Sequence, residues 1–90
     1  MRMVCVLLKG PEGGPRRAAL PSLIHDLLWA HAVPADGLEH VRSRQLPDGL
    51  DVVLFLNASS DEAAIRSAEV LLERVREPFA RHGLTGGIAR

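Results

Sequence analysis

Ninety residues suffice for one domain and no more, and an apolar content of 47% is that of a folded chain. Eleven basic and eleven acidic residues cancel, so no overall field draws the protein to nucleic acid or to an anionic membrane. The single cysteine, Cys5, excludes an intrachain disulfide and any cysteine-based metal site, and it agrees with a cytoplasmic location.

Met3–Leu8 is apolar at every position and predicts a buried strand. The whole run Met1–Leu8 is of strand length, so neither a signal peptide nor a span of roughly 20 apolar residues is expected here. The glycines and prolines of Lys9–Arg17 predict a loop. It precedes a helix and carries Lys9, Arg16 and Arg17, but it lacks P-loop or dinucleotide-site spacing. Its two prolines also remove N–H donors that a phosphate would need. A helix is predicted over about Ala18–Val33, beginning properly near Leu20 because Pro21 belongs in a first turn. Leu20, Leu23, Ile24, Leu27, Leu28 and His31 form its stripe, and Pro34 and Gly37 end it.

Leu38–Leu46 predicts a more polar strand, in which His40, Arg42 and Arg44 alternate with Val41, Ser43 and Gln45. Pro47-Asp48-Gly49 predicts a turn into a strand over Leu50–Asn57, with Asp48-Gly49 as the two-residue loop. That loop pairs Leu46 with Asp51, Arg44 with Val53, Arg42 with Phe55 and His40 with Asn57. Leu50, Val52, Leu54 and Leu56 then make one apolar face, while Val53 and Phe55 partly fill the other. Ser59 is the expected cap of a second helix, with Glu62 as its capping-box partner and Ile65, Ala68, Leu72, Val75 and Phe79 as its core stripe. Pro78 kinks or ends that helix, His82 lies in its last turn, and residues 84–89 offer a weak fourth strand.

The order β-α-β-β-α-(β) over one domain, residues 1–90, resembles the broad ferredoxin-like superfold. That resemblance implies an α+β sandwich, with an antiparallel sheet of order 4-1-3-2 and two helices on one face. The two doubly apolar strands would be central and the polar one an edge. The superfold hosts many unrelated activities, so the resemblance implies no function.

With both helices on one side, the open face would display His40, Arg42, Arg44, Val53, Phe55 and Asn57. It is the candidate binding surface, either for a second copy or for another protein. Read more plainly, the charges only guard an edge strand against further pairing, and Asp51 simply pairs with Arg44. Trp29, with His25 one turn earlier, falls opposite the first helix's apolar stripe, as a partner contact or as a side chain buried by a kink. His31 is expected to be buried and hydrogen-bonded. No Ser-His-Asp or Cys-His set assembles, so no catalytic residue, metal site or cofactor is expected. The resulting expectation is a small non-catalytic binding or accessory domain, as a homodimer or an adaptor, without nucleic-acid or membrane partners. The alternative is a cofactor-independent dimeric α+β-barrel enzyme acting on a small hydrophobic ligand, with His40, Arg42 and Asn57 polarising it.

Overall fold

The protein is described from a computed structural model, over residues 1–10 and 18–89. The anion-loop candidates Arg16 and Arg17 lie outside these residues. The elements are β1 (Arg2–Lys9), α1 (Leu20–His31), a 3-10 turn (Pro34–Asp36), β2 (Leu38–Leu46), β3 (Gly49–Leu56), α2 (Asp61–Ala80) and β4 (Thr85–Ile88). The strands form one antiparallel sheet of order β2-β3-β1-β4, which reads 4-1-3-2 from the β4 edge. The architecture is an open four-stranded α+β sheet with two helices, compatible with a ferredoxin-like fold.

The core lies between the sheet and the helices. Leu50, Val52, Leu54 and Leu56 of β3 and Val4, Val6 and Leu8 of β1 meet Leu20, Ile24 and Leu28 of α1. From α2 come Ala64, Ala68, Leu71, Val75 and Phe79. Each buried aliphatic side chain contributes about 1.5–3 kcal/mol, so this one layer dominates the favourable side of folding.

The β2–β3 hairpin differs from the sequence expectation. Its loop is Pro47-Asp48, and Gly49 belongs to β3, so Leu46 pairs with Gly49, Arg44 with Asp51, Arg42 with Val53 and His40 with Phe55. The shift is two residues, which preserves the facing of every side chain because strand periodicity is two. Two local demands explain it. Pro47 presets the first turn torsion, so this turn needs no glycine at its second position. Gly49 is needed inside the strand instead, because a Cβ there would meet the Leu8 carbonyl oxygen at 2.2 Å.

The second helix also departs from the prediction at its start. Ser60, with extended torsions, is the cap, and its Oγ accepts a hydrogen bond from the Ala63 N–H at 3.0 Å. Glu62 therefore falls one position too early to close a capping box. The Ser59 carbonyl instead accepts from the Arg2 guanidinium at 3.2 Å, and Arg2 also binds Asp61 at 2.8 Å. The buried stripe runs through Ala64 and Leu71, leaving Ile65 and Leu72 half-buried at its margin. Pro78 does not end the helix, which continues to Ala80. Only one backbone hydrogen bond is forfeited, close to the C-terminus, so the cost of a proline there is small. His82 consequently lies beyond the helix, not in its last turn.

Candidate functional site

Both helices cover the same side of the sheet, so the odd-numbered positions of β1 and β3 and the even-numbered positions of β2 from His40 onward face outward, whereas Leu38, before the bulge, packs against the core. Register places these side chains in rows across the strands. His40, Phe55 and Met3 form one row, and Arg42, Val53 and Cys5 form the next. Arg44, Asp51, Leu7 and Gly87 form the third. Met3 is 65% exposed and Leu7 49% exposed, while Val53, Phe55 and Cys5 are half-buried by their neighbours. A band of apolar surface thus runs along the two central strands, uncovered by any element among the described residues.

The β2 edge of this face is basic. The His40 ring lies against Phe55, with centroids 5.3 Å apart and planes tilted by 45°. Arg44 donates to the Asp51 carboxylate at 3.2 Å, directly across the strand pair. Five of the six residues expected on the open face are therefore brought together: His40, Arg42, Arg44, Val53 and Phe55. Asn57 is not among them. It follows the end of β3, and its backbone N–H donates to the Gly37 carbonyl at 2.8 Å. A bulge between Leu38 and His40 absorbs the residue that would otherwise have reached it.

Trp29 does occupy the outer side of α1, 39% exposed, with the His25 ring 6.2 Å away and tilted by 57°. His25 also borders a shallow depression with Pro21, Ser22, Asp26 and Ser43. Trp29 and the sheet face belong to opposite sides of the molecule and do not form one surface. A larger groove of about 610 Å³ lies on the helix side, along the β4 edge, between Leu72 and Phe79 of α2 and Gly86 and Ile88 of β4.

The buried ion pair was not legible beforehand. Asp36, only 5% exposed, accepts from the Val33 N–H at 2.9 Å and from Arg74 Nη1 at 2.8 Å. Arg74 Nη1 also donates to the His31 carbonyl at 2.9 Å. One guanidinium thus joins the C-terminus of α1, the 3-10 turn and α2. Burial pushes the Asp36 carboxyl upward, but the hydrogen bonds from Arg74 and Val33 and the Arg74 charge outweigh it and hold the group below its ordinary value of 3.8. Asp36 and its partner Arg74 lie 38 residues apart, a separation that no local sequence pattern connects. His31 is half-buried, not buried, and its Nδ1–H donates to the Leu27 carbonyl at 2.9 Å.

Among the described residues no helix is long and apolar enough to cross a membrane. No family model matches this chain, and no solved structure matches it. It is 39% identical over 75 residues to a Schizosaccharomyces pombe protein named as an uncharacterized aminotransferase, a match covering 78% of this chain and 17% of that protein. The chain thus spans less than a fifth of that relative's length, and the likeness shows no family.

Proposed function

We propose that this chain is a non-catalytic binding or accessory domain of the ferredoxin-like kind, which associates with a second copy through the open face of its sheet. One observation carries the reading. Met3, Cys5, Leu7, Val53 and Phe55 form a continuous apolar band on the side of the sheet that neither α1 nor α2 covers. Apolar patches of this kind mark interaction sites more often than idle surface. A 90-residue chain also buries only about two-thirds of its unfolded surface, so a second apolar layer adds needed stability.

The enzyme alternative has less support. His40 is stacked on Phe55, Arg44 is engaged by Asp51, and Asn57 sits beyond the strand, so its proposed polar groups do not converge. The named relative's activity is not carried over, because this chain matches 17% of that protein.

Sedimentation velocity over a concentration series tests the reading. A dimer is expected, and Met3→Glu with Leu7→Glu should convert it to a folded monomer that still unfolds cooperatively, at a somewhat lower temperature than the dimer. A wild-type chain that stays monomeric throughout, or a double variant that still dimerises, would count against it.

A further inference from the structure

The sheet ends differently at its two edges. β2 carries Glu39, His40, Arg42 and Arg44, the kind of charged edge that resists further pairing. β4 has no charged residue and no proline. Its register shows which backbone groups are free. Ala89 continues the pairing of β1 with β4 and donates to the Cys5 carbonyl at 2.8 Å. Hydrogen-bonded pairs alternate along an antiparallel ladder, so Gly87 and Thr85 also bond to β1. The N–H and C=O groups of Gly86 and Ile88 therefore point away from it, and no strand among the described residues pairs with them.

The same edge borders the larger groove. Gly86 and Ile88 lie opposite Leu8 and Val6 of the core, so both face the helix side. There they line the groove with Glu69, Leu72, Glu73 and Arg76, a stripe at helical spacing on α2. α2 lies over β1 and β4, close to this edge.

A second copy meets both features at once. A two-fold axis through Gly87, perpendicular to the sheet, sets the two β4 strands antiparallel and keeps the helices of both copies on one side. Gly86 of each chain then faces Ile88 of the other, and every outward group is used. The Ile88 side chain stands beside the partner's Gly86, which must stay bare because its φ is 148° and a Cβ would meet the Leu7 carbonyl oxygen at 2.1 Å.

The two α2 helices run antiparallel above this seam. Phe79 is level with Leu84, whose N–H its carbonyl accepts. From Leu84 to Gly87 the strand advances about 10 Å, which corresponds to about six or seven residues back along α2. Reversal about that level sets Arg76 against the partner's Glu73, or against the partner's Glu69 one turn away. Each arginine thus meets an acid and not its own counterpart. The other two-fold axis, lying along the strands, would put the helices on opposite sides and leave both grooves unfilled.

We infer that a second copy pairs antiparallel through the β4 edge, so that the two four-stranded sheets become one and the α2 helices lie side by side. This contact is separate from the open face. It is also smaller, and a lone strand pair is marginal, so it joins copies at protein concentrations above those that populate the face dimer.

Met3→Glu with Leu7→Glu gives the background for the test, because it removes association through the open face and leaves the β4 edge intact. Sedimentation equilibrium of that double variant, carried above the range of the face dimer, should show a monomer–dimer equilibrium. The Ile88 N–H makes no bond to β1, so Ile88→Pro removes only an outward donor and should weaken this dimer by more than about tenfold. Arg76→Glu should weaken it about threefold to tenfold, and Glu73→Arg together with Arg76→Glu should restore it to within about threefold. Thermal unfolding is the folding control, and if Ile88→Pro lowers the unfolding temperature the charge series alone decides. A background variant that stays monomeric overturns the inference and leaves the face dimer standing. An unchanged constant in a folded Ile88→Pro, no weakening by Arg76→Glu, or no recovery in the reversed pair also overturns it. A wild-type dimer that survives Met3→Glu with Leu7→Glu but is lost with Ile88→Pro upholds the inference and removes the face dimer.

Discussion

The two faces of β3 are built from neighbouring residues of one strand, yet they meet opposite fates. Leu50, Val52, Leu54 and Leu56 are sealed beneath two helices, while Asp51, Val53 and Phe55 are only half-covered by their own sheet neighbours. A sheet that is covered once should alternate apolar with polar, and β3 does not. The residues of the second face are therefore more apolar than the monomer needs. That surplus, together with Met3 and Leu7 on β1, separates what folds this chain from what it has left to offer a partner.

Substitutions on the two faces should separate folding from association. Leu54→Ala opens a cavity in the sealed layer and should cost about 2–5 kcal/mol in urea denaturation, enough to unfold much of a small domain. Val53→Ala, one residue away on the other face, should cost the monomer less than about 1.5 kcal/mol while weakening the proposed dimer. Equal losses of folding stability at the two positions would dissolve the distinction between the faces.

The Asp36–Arg74 pair belongs wholly to the sealed side, so it should influence folding alone. Asp36→Ala leaves Arg74 and the Val33 N–H without their acceptor and should destabilise by about 1–3 kcal/mol. The sign with pH follows from the lowered carboxyl. The unfolded chain takes up a proton near 3.8, before the folded one does, so the contribution is complete above that value and fades as pH falls below it. Asp36→Asn should flatten that acid limb in denaturation measured from neutral pH downward. An unchanged limb would assign acid sensitivity to other carboxylates.

The smallest expected effect concerns Trp29, the only tryptophan in the chain. It lies on the outer side of α1, away from the open sheet, so its emission maximum should stay fixed as the proposed dimer dissociates on dilution. A shift would move the interface to α1 and make the depression beside His25 its centre.

The amino-acid pattern by itself determined the element order, the central placement of β1 and β3, and the inward face of β3. Each follows from side-chain periodicity, which is local and survives the two-residue shift of the hairpin register. It also brought His40, Arg42 and Arg44 to one edge, because a strand with three alternating basic residues cannot lie in the middle of a core. What it could not determine were choices settled by atoms distant in sequence. The hairpin turned at Pro47-Asp48 because the Leu8 carbonyl crowds Gly49, and Ser60 caps α2 in a segment that Arg2 fastens from the start of β1. The same holds for Asn57, carried off the sheet by a bulge and held by Gly37, and for Asp36, buried because Arg74 reaches it across the helix layer. Periodicity assigns a residue to a face, whereas only tertiary contact decides which neighbour occupies the space beside it.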